Sequence, residues 1–168
     1  AIGVNGFIAK PFFASNLYNT LTSLTRRTAP KREIEVSAPP ESEAETAHQH
    51  YDFTGKHILL VEDNEFNREV AQEFLEMTGA TVESAENGSE GVALFTASET
   101  GQYDIILMDV QMPVMDGYEA TRAIRASVHP DANSIPILAM TANAFNEDVA
   151  AAVAAGMNGH IAKPIDVT

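Results

Sequence analysis

Four apolar runs in this chain each end on a polar residue of a type that phosphoryl chemistry uses. Ile58-Leu59-Leu60-Val61 leads into Glu62-Asp63, and Ile105-Ile106-Leu107-Met108 leads into Asp109. Ile135 to Met140 leads into Thr141, and His160-Ile161-Ala162 leads into Lys163-Pro164. Short apolar runs separated by helical patterns read as buried parallel strands. Ligands of open α/β sheets bind outside the carboxyl ends of the strands. Three carboxylates, a hydroxyl and an ammonium are therefore expected at one edge of one sheet.

Glu62, Asp63 and Asp109 offer oxygen ligands with no histidine or cysteine nearby, which suits a hard cation. Magnesium takes one or two carboxylates and keeps waters or phosphate oxygens; manganese is the alternative. A carboxylate beside such a metal can attack phosphorus and form an aspartyl-phosphate, and Asp109 is the candidate. Asp116 suits a different task, because Asp116-Gly117 marks a turn just before a helix. Thr141 can donate a hydrogen bond to a phosphoryl oxygen, as can the backbone amide of Ala142. Lys163 is the only lysine after Lys56. It closes an otherwise apolar strand, where an ammonium needs an anionic partner.

The elements that must carry these groups alternate from His57 onward. A helix is expected over Glu65 to Thr78 with Phe66, Val70, Phe74 and Met77 on its buried face, closed by Gly79. Thr81 to Ser84 reads as a short strand. Ser89 to Ala97 reads as a helix burying Val92, Leu94 and Phe95. Further helices are expected over Gly117 to Ala126 and Asn146 to Ala155, the second closed by Gly156. Strand-helix alternation at this spacing gives a parallel sheet covered on both faces.

Composition narrows the function classes. The chain has 168 residues and no cysteine, which excludes disulfides and thiolate metal sites and fits a reducing compartment, the cytoplasm. No apolar stretch approaches the roughly 18 residues of a membrane span, so no membrane contact is expected. The net charge of −14 lies within residues 57–168, which hold 18 acidic and 4 basic side chains. Direct nucleic-acid binding is disfavoured, since phosphate contacts depend on Lys and Arg. A divalent cation or a basic partner is favoured.

Residues 28–56 read as a linker, rich in Pro, Glu, Ser and Ala and lacking apolar periodicity. His48 and His50 are read as linker histidines. Gly3-Val4-Asn5-Gly6-Phe7-Ile8-Ala9-Lys10-Pro11 repeats as Gly156-Met157-Asn158-Gly159-His160-Ile161-Ala162-Lys163-Pro164, differing at two positions. An amphipathic segment with Phe13, Leu17, Leu21 and Leu24 follows the first copy, whereas the chain stops at Thr168 after the second. Residues 1–27 are therefore expected to be the last strand and helix of a preceding related domain. Residues 57–168 are expected to lack their own last helix. Residues 12–25 are expected to dock where that helix belongs, within one chain or swapped between two as a dimer.

The motifs Val61-Glu62-Asp63-Asn64, Met108 to Gly117, Met140-Thr141-Ala142-Asn143-Ala144 and Ile161-Ala162-Lys163-Pro164 together resemble the receiver domain of two-component response regulators. The likeness is strongest to receivers attached in tandem to hybrid sensor histidine kinases. It implies a flavodoxin-like, doubly wound, five-stranded parallel sheet of order 2-1-3-4-5. Residue by residue, it implies Asp109 as phosphoacceptor, with magnesium held by Glu62, Asp63, Asp109 and the carbonyl of Gln111. It implies Thr141, Ala142 and Lys163 as phosphoryl-binding groups, and Thr141 with His160 as the switch pair. The implied donor is a phosphohistidine on a kinase dimerisation domain or a histidine phosphotransfer protein, within a parent that is itself free or membrane-anchored. The protein then acts as a signalling phosphoacceptor that catalyses its own phosphorylation and dephosphorylation. The alternative is a haloacid-dehalogenase-like phosphatase with Asp109 as nucleophile. That class places a second aspartate two residues after the nucleophile, where this chain has Gln111.

Overall fold

The computed structural model describes residues 52–142 and 146–162. Residues 1–51, Asn143, Lys163 and Pro164 lie outside them, so the expectations for the preceding domain, for docking of residues 12–25 and for Lys163 fall outside as well.

Five strands alternate with four helices: β1 (His57–Val61), α1 (Glu65–Met77), β2 (Thr81–Ala85), α2 (Gly88–Ala97), β3 (Ile105–Asp109), α3 (Gly117–Ala126), β4 (Ile137–Thr141), α4 (Asn146–Ala155) and β5 (Gly159–Ala162). All neighbouring strands pair in parallel, in the expected order β2-β1-β3-β4-β5. Successive strand residues point to opposite faces, and both faces are buried. Leu59, Val61, Ile106, Met108 and Ala139 pack with Phe95 of α2, Ala120 and Ile124 of α3 and Ala152 of α4. Ile58, Leu60, Ile105, Leu107, Leu138, Met140 and Ile161 share the other cluster with Ala71 and Leu75 of α1.

Three expectations are corrected. The buried face of α1 is built on Ala71 and Leu75 with Phe74 partly buried, while Phe66 and Met77 are exposed. Ala71 and Leu75, four apart, mark one stripe of the helix, and Phe66 and Met77 lie off it. The second concerns the stretch just before β1, read as linker: Phe53 is 2% exposed within the same cluster as Ala71 and Leu75. The Phe53 amide donates to the Thr78 carbonyl (2.7 Å) and the Thr81 amide to the Lys56 carbonyl (2.8 Å). Third, β4 starts at Ile137, two residues later than expected. Pro136 has no amide to give a ladder, though its carbonyl accepts from Ile106 (2.9 Å).

Candidate phosphoacceptor site

Glu62 and Asp63 lie in the three-residue connection between β1 and α1. The Glu62 amide extends the β1–β2 ladder by donating to the Ala85 carbonyl (3.1 Å). Asn64 then caps α1, its side chain accepting from the Asn67 amide (3.0 Å). Both ends of the backbone that carries the two carboxylates are thus hydrogen-bonded. Glu62 Oε1 accepts from the Asn64 amide (3.2 Å), and the side chain is 1% exposed, whereas Asp63 is exposed.

Asp109 ends β3 and is 4% exposed. Its backbone neighbour Val110 continues the ladder to the Met140 carbonyl (3.1 Å). The chain then loops out and returns, the Gly117 amide donating to the Val110 carbonyl (3.0 Å). Asp116 caps α3 in a reciprocal capping box with Glu119, as the Asp-Gly pair led us to expect. The Gln111 amide donates to Asp109 Oδ1 (3.2 Å), so Gln111, itself exposed, does touch the phosphoacceptor candidate. Thr141 ends β4 and is buried, Ala142 is exposed beyond it, and His160 is exposed on β5 opposite Ala139.

Carboxylate oxygens of Glu62, Asp63 and Asp109 all lie within 4.8 Å of one another. At that separation two buried charges such as Glu62 and Asp109 repel by roughly 3 kcal/mol at an effective dielectric of about 20. A cation among them removes this cost. The donor set is all oxygen, which fits magnesium.

Sequence reasoning gave Arg68 no role, yet it braces this corner. Its guanidinium donates to the Glu62 carbonyl (3.0 Å) and pairs with Glu86 (3.4 Å). One signal was available, since Arg68 is one of only four basic residues in the acidic part of the chain. Gly117 was also underrated, being read only as part of a turn. A Cβ there would stand 2.2 Å from the Asp109 carbonyl oxygen.

A parallel sheet of this order with helices on both faces is the flavodoxin-like doubly wound class, whose sites lie outside the carboxyl edge. Within that class the chain belongs to the response regulator receiver domain family, which matches residues 58–168; it is a receiver domain of two-component phosphorelay signalling. It is 40% identical over 138 residues to "Probable histidine kinase 1" of Oryza sativa subsp. indica, covering 65% of this chain and 14% of that kinase. The chain thus spans about a seventh of the length of that relative. The receiver domain of a sensor histidine kinase from Pseudomonas aeruginosa PAO1, solved with a magnesium ion coordinated in its active site cleft, is 42% identical with a TM-score of 0.59. That match covers 66% of this chain and 87% of the other. The receiver domain of Ssk1, solved with the Saccharomyces cerevisiae histidine phosphotransfer protein Ypd1, gives 30% identity and a TM-score of 0.58. That match covers 68% and 83% of the two chains.

Proposed function

We propose that Asp109 accepts a phosphoryl group from a phosphohistidine, carried by a kinase dimerisation domain or by a histidine phosphotransfer protein. The observation that carries this reading is the clustering of Glu62, Asp63 and Asp109 oxygens within 4.8 Å at the carboxyl edge of the sheet. In the transfer, an Asp109 carboxylate oxygen forms the new bond to phosphorus. The phosphorus–nitrogen bond breaks, and the imidazole leaves with its electron pair and takes up a proton. Glu62, Asp63, Asp109 and the Gln111 carbonyl would hold magnesium, which when bound neutralises charge between the carboxylates and the phosphoryl oxygens.

Thr141, the Ala142 amide and Lys163 bind the phosphoryl oxygens. Thr141 and His160 are the proposed switch pair, Thr141 moving toward the modified aspartate and His160 changing its exposure. Phosphorylation and hydrolysis are catalysed by the domain itself. The parent protein is proposed to be a hybrid histidine kinase with tandem receivers and with this domain in the cytoplasm. Residues 12–25 are proposed to cover the sheet face that α1 shares with β4 and β5.

Intact-protein mass spectrometry after incubation with magnesium and acetyl phosphate tests the reading. One added phosphoryl group is expected on the wild type and none on Asp109→Asn or without magnesium. An adduct that persists in Asp109→Asn would refute the assignment.

A further inference from the structure

The repeated nine-residue motif ends in Lys-Pro and carries an asparagine five positions before the lysine, Asn5 in the first copy and Asn158 in the second. Asn158 lies just before β5. Its amide donates to the Ile137 carbonyl (2.8 Å), and its side-chain Oδ1 accepts from the Ile137 amide (2.9 Å). One residue thereby engages both backbone groups of Ile137, the first residue of β4. Only one alignment of the two strands satisfies this pairing.

Oδ1 also accepts from Arg125 Nη2 (2.8 Å). The same guanidinium, projecting from α3, donates to the carbonyls of Ala132 and Ile135 (each 2.8 Å) and of Gly156 (3.0 Å). It therefore ties the segment entering β4 to the segment entering β5.

We propose that Asn158, held by Arg125, is a positioning residue for the phosphoryl-binding edge of the site. This inference rests on the function proposed above. β5 has four residues, and two of them, Gly159 and Ala162, have little or no side chain with which to fix a register. The asparagine clamp supplies that information. From it the ladder runs Leu138↔Gly159, Ala139↔His160, Met140↔Ile161 and Thr141↔Ala162. The residues that follow this last pair in sequence are Ala142 and Lys163, so this register is the last fixed point of the ladder before the phosphoryl-binding residues proposed above. A slip of one residue would send alternate side chains to the wrong face, exposing Ile161, which is buried in the observed register. The metal ligands sit on other strands. Glu62 and Asp63 follow β1, and Asp109 ends β3; β3 pairs with β1 and with β4, where Ile106 lies opposite Ile137, and Asn158 itself pairs with neither β1 nor β3.

That separation makes the role testable. Asn158→Ala should slow phosphorylation by acetyl phosphate by on the order of tenfold or more, because small misplacements of binding groups are costly. Magnesium affinity, measured by calorimetry, should stay within about twofold, since ligand identity and geometry on β1 and β3 are unchanged. Asn158→Asp should restore most of the rate, because a carboxylate oxygen can accept from both Ile137 and Arg125. Should Asn158→Ala fail to fold, Asn158→Ser carries the same comparison, with Asp again expected to outperform it. A purely structural role predicts that rate and magnesium affinity fall together as stability is lost. That outcome, or an Asn158→Ala protein labelled at the wild-type rate, would overturn this inference alone. A wild type that takes up no phosphoryl group would overturn the proposed function, and this inference with it.

Discussion

Gly117 sits against the back of Asp109, so close that a Cβ on the glycine would stand 2.2 Å from the aspartate's carbonyl oxygen. The approach closes the loop that leaves β3 and returns at the start of α3. Gly117→Ala must push the two backbones apart, and overpacking of this kind costs about 1–3 kcal/mol. A lower denaturant midpoint and slower labelling of Asp109 are expected together. A variant with wild-type stability would show that the loop yields freely.

Magnesium should stabilise the protein by binding only the folded carboxylate cluster. At ten times the dissociation constant the gain is about 1.4 kcal/mol, read as a rise in melting temperature. Asp109→Asn removes one of three mutually repelling charges, so it should melt higher than wild type without magnesium and gain less from adding it. A metal-free melting temperature equal to or below that of wild type would mean the three carboxylates are not repelling one another.

Val114 is the one described non-glycine residue with a left-handed backbone, at φ 71°. The Met115 amide donates to the Pro113 carbonyl across it (2.8 Å), which makes it the centre of a three-residue γ-turn of the rarer hand. Its side chain is 86% exposed and returns nothing in packing. The conformation costs a β-branched residue about 1–2 kcal/mol. Val114→Gly should therefore raise stability by up to about 1 kcal/mol after the extra entropy of glycine is subtracted. Chemical denaturation of the two proteins decides it, and a less stable glycine variant would mean the turn is unstrained.

The face that α1 shares with β4 and β5 carries Leu138, Met140 and Ile161. If residues 12–25 cover it as proposed, the double substitution Leu17→Asp, Leu21→Asp should lower the melting temperature of the domain. Light scattering separates the two arrangements, since loss of a dimer would accompany the change only if the segment is exchanged between chains. An unchanged melting curve would remove the proposal.

The acidic cluster was legible because each carboxylate lies at or just after the end of a buried strand. Glu62, Asp63 and Asp109 needed only the rule that parallel strands present their carboxyl ends to ligands. The sheet order came from the resemblance of the motifs to receiver domains, and the strands pair in that order. The face of α1 was not legible, because large apolar residues do not by themselves mark the buried face. Here the buried stripe carries the small Ala71 with Leu75, while Phe66 and Met77 lie off it in solvent. Arg125 and Asn158 were equally hidden. Their work is hydrogen bonding to backbone groups far away in sequence, which leaves no periodic trace.

Tyr103 gives the fold an alkaline limit. It lies 7% exposed just before β3, and its hydroxyl donates to Glu83 on β2. Burial first, and then the hydrogen bond and charge of Glu83, push its pKa well above the ordinary tyrosine value. Because the folded value is the higher one, the contribution to stability is fully present below about pH 10, where the unfolded chain also keeps its proton. Above that pH the unfolded chain ionises first, and stability falls by up to about 1.4 kcal/mol per pH unit for this one proton. Tyr103→Phe cannot lose it. The variant should be about 1 kcal/mol less stable than wild type near neutrality, for want of one hydrogen bond. The gap should then narrow or reverse by pH 11. Urea midpoints measured from pH 8 to 11 test this, and two curves that run parallel across that range would mean the phenol ionises as freely in the fold as in the open chain.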